Sequence, residues 1–156
     1  MSADLDMGRV QEVLAQLPEA LRPLSSGLDH IGVAVESIED SLALYHELLG
    51  LKLLFTEEVE SDGVRVAVLE LGGGHLELLE PTGPESPIAK FMSKRGPGIH
   101  HVALRVKDCA SSLQALADSG VRLIDEKPRP GAGGKQIGFV HPKATGGVLL
   151  ELCAHA

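Results

Sequence analysis

Four side chains that could bind a metal ion occur in the sequence as two similar pairs. His30 and Glu77 form the first pair, and His101 and Glu151 follow them by 71 and 74 residues. Imidazole and carboxylate groups suit first-row divalent metals, and two of each leave room for water or substrate oxygens. Two ionised glutamates among apolar strand residues would be costly to bury unless cations or protons offset their charge. The two pairs therefore predict a divalent metal site formed by all four residues.

Each of these residues, taken singly, has a simpler explanation. A histidine in an apolar strand is more often a hydrogen-bonded core residue than a ligand, and a strand glutamate often faces water. The repetition of all four residues in register favours metal binding over these explanations. His46, His75, His141 and His155 have no repeated counterpart, so we assign them no role.

The segments around the four side chains form an internal repeat. LDHIGVAVESIEDSLALYHELLGLKLL and IHHVALRVKDCASSLQALADSGVRLI each indicate a strand, a capped helix, a glycine stop and a strand. Two further strand-like runs close each half, GVRVAVLEL with HLELLEP and QIGFVHP with GVLLELCA. We therefore predict an α+β fold in which paired βαβββ modules form a curved mixed sheet around the metal site.

Side chains alternate between the two faces of a strand, which separates the adjacent histidines of GIHHVALRV. His30 and His101 share their faces with small residues, so both should face open space. His100 and, in the first module, Asp29 fall on the bulky face, which the helix should cover. Alternation thus selects His101 over His100 as the ligand.

The repeat and its flanks divide the chain into four segments within one compact domain. Residues 1–26 are predicted to be a helical extension, 27–82 the first module, 83–97 a linker with a short helix, and 98–156 the second module.

Composition and charge restrict the partners of the protein. The net charge of −8 argues against nucleic-acid binding, and no apolar run is long enough for a membrane helix. The first residues lack the features of a secretory signal, so we expect a cytoplasmic location. Residues 1–89 carry a net charge of −13 and residues 90–156 carry +5, so the second half either faces an anionic partner or is simply solvated. We expect Cys109 and Cys153 to be buried fillers.

Residues 28–153 resemble the methylmalonyl-CoA epimerase family of the vicinal-oxygen-chelate superfamily, which includes glyoxalase I. The resemblance rests on LDHIGVAV, SPIAKF, KRGPGIHHVA and HPKATGGVLLEL, of which the last three are typical of the epimerases. It implies an isomerase of propionate metabolism, a homodimer acting on an acyl-CoA substrate. The implied reaction interconverts (2R)- and (2S)-methylmalonyl-CoA by removing and returning the C2 proton through a metal-stabilised enolate.

The resemblance also implies roles for individual residues. It makes His30, His101 and Glu151 metal ligands, together with Glu77, where some members have glutamine. The implied metal is Co²⁺, with Mn²⁺, Ni²⁺ or Zn²⁺ as alternatives. Some epimerases carry a glutamate base where this chain has Val66. Glu151 is therefore our first candidate for a catalytic base and Glu77 our second.

Other functions are compatible with the same residues. A lactoylglutathione lyase-like enzyme of this superfamily would use the same four ligands but a glutathione pocket. A non-catalytic small-molecule-binding protein of this fold would typically lack the ligands, whereas all four positions are filled here. An extradiol dioxygenase fits less well, because its site uses two histidines and one carboxylate on iron.

Overall fold

The structure is a computed structural model that describes residues 5–156, so the first four residues of the predicted N-terminal extension lie outside the described part of the chain. The helices are α1 (Met7–Gln16), α2 (Ile38–Leu42), α3 (Pro87–Arg95) and α4 (Cys109–Asp118). The strands are β1 (Ser25–Ala34), β2 (Leu53–Val59), β3 (Val64–Leu71), β4 (Gly74–Pro81), β5 (Gly98–Val106), β6 (Arg129–Pro130), β7 (Gln136–Val140) and β8 (Leu150–Ala154).

The order of these elements confirms the predicted βαβββ repeat, because β1-α2-β2-β3-β4 recurs as β5-α4-β6-β7-β8. The strand predicted over residues 121–124 was wrong: Leu123 makes only an isolated bridge to Val140, the Asp125 carboxylate accepts the Phe139 N–H, and β6 is the later, two-residue strand Arg129–Pro130.

The chain divides into two compact units, one formed by Asp29–Val102 and the other by Ala103–Ala156 with the chain up to Leu28. In the first unit the strands are hydrogen-bonded in the order β2-β3-β4-β1, and in the second in the order β8-β7-β6. The sheet of the first unit is mixed, since β1 and β4 are parallel while β3 is antiparallel to β2 and β4.

The two module helices begin and end at the predicted residues. The side chains of Ser37 and Asp108 each accept a hydrogen bond from the backbone N–H three residues on, at 3.2 and 2.7 Å. Gly50 and Gly120 follow the helices with φ values of 76° and 88°, which glycine adopts without strain. The first helix differs from the expectation in one respect: it continues beyond α2 as a π-helical turn over Ala43–Leu48.

Apolar side chains pack one face of each unit's sheet against its helix. In the first unit this core consists of Val35, Ile38, Ala67, Leu69, Leu76 and Leu78. In the second unit it consists of Val106, Cys109, Leu113, Val140, Leu152 and Ala154. The alternation of these residues along their strands confirms that the bulky face lies under the helix.

Cys109 and Cys153 are both buried, as predicted. The thiol of Cys109 donates a hydrogen bond to the carbonyl oxygen of Leu152, with a sulfur–oxygen distance of 3.8 Å. Burial, followed by the neighbouring Cys153, raises the pKa of Cys109 to about 11. The Cys109 thiol is therefore protonated at neutral pH and fills space in the core.

The predicted linker contains α3, which gives the short helix expected there. Ser86 caps this helix by accepting a hydrogen bond from the N–H of Ile88 at 3.2 Å, and the side chain of Ile88 is buried.

None of the helices within residues 5–156 is long and apolar enough to span a membrane.

Gly138 lets β7 approach α4 closely, and this contact gives a test of the core. A Cβ atom at Gly138 would lie 2.6 Å from Cδ1 and 3.1 Å from Cδ2 of Leu113. We expect Gly138→Ala to lower the free energy of unfolding by about 1–3 kcal/mol, because the added methyl overpacks the core. In a Leu113→Ala background the methyl has room, so the same substitution should cost less in urea denaturation. Equal costs in both backgrounds would contradict the close approach.

Candidate metal centre

Three of the four predicted ligands come together in the first unit. His30 lies on β1, Glu77 on β4 and His101 on β5, and all three residues are at most 5% exposed. One donor atom of each lies within 4.8 Å of the others. His30 Nε2 is 3.0 Å from His101 Nε2 and 3.4 Å from Glu77 Oε2.

Strand register places these side chains on the sheet face opposite the core. In the parallel pair of β1 and β4, His30 lies beside His75 and Gly32 beside Glu77. Laterally paired residues share a face, so His30, Gly32 and Glu77 point to the same side. Gly32 leaves the space that the His101 ring occupies, since a Cβ there would lie 2.6 Å from Nδ1 and 2.8 Å from Nε2 of that ring.

The donor set fits a divalent cation. The rings of His30 and His101 meet edge to face, with centroids 5.1 Å apart and planes at 87°. This arrangement brings their Nε2 atoms together beside the Glu77 carboxylate. Two imidazoles and one carboxylate, all removed from water, are donors that suit a divalent metal. A dication would offset the charge of the buried carboxylate.

Asp29 contacts His30, the first of the two predicted ligand histidines. Its Oδ1 atom is 2.7 Å from His30 Nδ1, and the two side chains are 0% and 2% exposed. An ionised carboxylate only accepts hydrogen bonds, so His30 donates from Nδ1, and as a neutral ring it directs the Nε2 lone pair at His101 and Glu77. Carboxylates placed in this way orient metal-binding histidines and raise their basicity.

His100 makes the corresponding contact with His101, the second predicted ligand histidine. The Nδ1 atoms of His100 and His101 are 3.0 Å apart, and their rings lie at 88° to each other. Burial lowers the pKa of His100. The ring of His100 also meets the ring of Phe91, which lies on α3, edge to face at 5.0 Å between centroids.

The contacts of Asp29 and His100 were missed by the sequence analysis. Alternation placed both residues on the helix-covered face, away from the ligands. That rule describes the direction of each Cα–Cβ bond, whereas the δ atoms of neighbouring side chains on a twisted strand reach each other. The sequence contained one signal for these contacts: the repeat aligns Asp29 with His100, and each directly precedes a predicted ligand histidine.

Glu151, the fourth predicted ligand, lies on β8 in the second unit. Its side chain is buried, with 3% of the residue exposed. Its part in the metal centre stays a prediction.

Gly32 provides a test of the centre, because a side chain there would displace His101. We expect Gly32→Ala to weaken Co²⁺ binding by about 10-fold or more, as a ligand leaves its position. Gly73→Ala is the matched control, since a Cβ at that position meets no atom within 4 Å. Titration against a chromophoric chelator measures both affinities. Unchanged Co²⁺ affinity in Gly32→Ala would contradict the packing of His101 on Gly32.

The chain also matches known proteins. A family model described as the Glyoxalase/Bleomycin resistance protein/Dioxygenase superfamily matches residues 29–139. The mitochondrial methylmalonyl-CoA epimerase of Homo sapiens is 36% identical over 126 residues, which are 80% of this chain and 72% of that protein.

Solved structures show the same fold. The methylmalonyl-CoA epimerase of Mycobacterium tuberculosis is 39% identical with a TM-score of 0.82, covering 92% of this chain and 95% of that one. A variant of the Streptomyces coelicolor methylmalonyl-CoA epimerase, in complex with 2-nitronate-propionyl-CoA, is 36% identical with a TM-score of 0.81, covering 85% and 96%. These similarities confirm the predicted vicinal-oxygen-chelate fold. The chain therefore belongs to the Glyoxalase/Bleomycin resistance protein/Dioxygenase superfamily and, within it, to the methylmalonyl-CoA epimerase family.

Proposed function

We propose that this chain catalyses the metal-dependent epimerisation of methylmalonyl-CoA at C2, interconverting the (2R) and (2S) forms. The observation that carries the proposal is the buried convergence of His30, Glu77 and His101 in a chain of this family. The proton at C2 is weakly acidic because the neighbouring thioester carbonyl delocalises the charge left behind. Catalysis therefore requires a group that stabilises this charge and groups that move the proton.

His30, Glu77 and His101 would hold the metal ion, with Glu151 as the fourth ligand. Co²⁺ is the ion we propose, and Mn²⁺, Ni²⁺ or Zn²⁺ also suit these donors. When bound, a divalent ion supplies a Lewis acid that offsets the negative charge of the enolate oxygen. The Asp29 carboxylate supports this role by fixing the orientation of the His30 ring.

Epimerisation needs one group to take the C2 proton and another to return a proton to the opposite face of the planar enolate. We propose Glu151 as the first base and Glu77 as the second. Both are buried carboxylates, at 3% and 4% exposure. Val66 pairs with Leu79 on β4 and so faces the same side of the sheet as Glu77. The side chain of Val66 is therefore an apolar neighbour of Glu77 and cannot act as a base.

An acyl-CoA substrate is consistent with the charge distribution of the chain. The S. coelicolor relative was solved with an acyl-CoA analogue. In this chain residues 90–156 carry a net charge of +5, which suits the phosphate groups of coenzyme A.

The proposal is tested by proton exchange at C2. We expect the protein loaded with Co²⁺ to incorporate deuterium from D₂O into methylmalonyl-CoA, and EDTA to abolish the exchange above the slow background of the thioester. Mass spectrometry follows the incorporation. Absence of exchange by protein shown to contain one metal ion per chain would overturn the proposed activity.

Glu151→Gln tests the assignment of the first base. We expect turnover to fall by about 10²- to 10⁴-fold, the usual contribution of a general base, with a much smaller change in the affinity for propionyl-CoA. Glu126→Gln, a change at an exposed carboxylate of the same half, should leave both quantities unchanged. Equal losses of turnover and binding in Glu151→Gln would reject its role as a base.

Three further expectations stay predictions. They are a cytoplasmic location, assembly as a homodimer and a place in propionate metabolism. The proton-exchange activity proposed above requires none of them.

A further inference from the structure

Each ligand histidine is contacted at Nδ1 by the residue that directly precedes it. Asp29 Oδ1 lies 2.7 Å from His30 Nδ1, and His100 Nδ1 lies 3.0 Å from His101 Nδ1. The two contacts are equivalent in the repeat but differ in chemistry. Asp29 presents a carboxylate, whereas His100 presents a second imidazole.

The contact between His100 and His101 restricts where their protons lie. Two ring nitrogens at 3.0 Å form a hydrogen bond when one carries a proton and the other a lone pair. A histidine that binds a metal through Nε2 has no proton on that atom, so neutral His101 carries its proton on Nδ1. His100 must then accept at Nδ1 and carry its own proton on Nε2.

We propose that His100 is a positioning residue for His101: it accepts the Nδ1 proton and so directs the Nε2 lone pair towards His30 and Glu77. This role rests on the metal centre proposed above. It gives a function to the first histidine of the GIHH segment, which otherwise has none.

The packing of α3 keeps the His100 ring in place. The Phe91 ring meets the His100 ring edge to face at 81°. The guanidinium of Arg95 lies over the Phe91 ring, 5.9 Å from its centroid. The linker helix thereby restricts the rotation of the His100 ring. This restriction is needed if Nδ1 of His100 is to accept a hydrogen bond from one fixed direction.

Packing against Phe91 is the competing explanation for His100, and two substitutions of similar volume separate it from positioning. His100→Asn keeps an acceptor, because the side-chain oxygen of asparagine sits at the δ position that Nδ1 occupies. His100→Leu keeps apolar contact with Phe91 and removes the acceptor. If His100 positions His101, the leucine variant should lose more metal affinity than the asparagine variant. If His100 serves only to pack against Phe91, the asparagine variant should lose more.

The first measurement is the Co²⁺ affinity of the full chain, by competition with a chromophoric chelator. We expect His100→Leu to bind Co²⁺ about 10- to 100-fold more weakly than the wild type and His100→Asn to stay within about threefold. In EDTA, urea denaturation should show the leucine variant to be at least as stable as the asparagine variant. Wild-type affinity in His100→Leu, or equal losses in both variants, would overturn the role.

The second measurement needs no substitution. In the Zn²⁺-loaded wild-type protein, long-range ¹H–¹⁵N spectra of the imidazole rings report which nitrogen carries each proton. We expect a protonated Nδ1 on His101 and a protonated Nε2 on His100. A protonated Nδ1 on His100 would overturn the proposal. A wild-type chain that binds neither Co²⁺ nor Zn²⁺ would overturn the metal centre itself, whereas full binding with the wrong proton positions would overturn the role of His100 alone.

Discussion

The burial of one carboxylate against two imidazoles is the interaction on which the rest of the site depends. Glu77 is 4% exposed, and its Oε2 atom lies 3.4 Å from His30 Nε2. An anion withdrawn from water loses several kcal/mol of hydration, which attraction to a cation or donation of hydrogen bonds must replace. A bound dication meets the requirement directly.

The sheet satisfies this requirement through register and through one small residue. His30 and Glu77 face the same side because β1 and β4 pair with Gly32 opposite Glu77. A slip of one residue in either strand would turn His30 or Glu77 towards the helix and expose core leucines. The apolar core on the opposite face therefore fixes the positions of these two side chains. Gly32 adds the space in which the His101 ring fits.

The parts of this arrangement that follow from periodicity were predictable. Strand alternation and the repeat predicted the βαβββ order, the helix caps at Ser37 and Asp108, and the shared face of His30 with Gly32. The π-helical turn was not predictable, because it changes backbone hydrogen bonding without changing the apolar pattern. Asp29 was missed for a different reason. Alternation assigns faces from Cβ directions and contains no information on contacts between neighbouring side-chain tips.

The internal repeat gives the two modules equivalent backbone positions, but the side chains at those positions differ. His30 and His101 occupy the same strand position, yet Asp29 precedes one and His100 the other. A carboxylate that accepts the Nδ1 proton raises the electron density of its imidazole more than a neutral ring does. In the proposed centre His30 would accordingly be the stronger donor of the two, although its backbone position is equivalent to that of His101. The repeated fold thus gives two predicted ligands with equivalent backbone positions but different partners at Nδ1, and that difference comes from Asp29 and His100.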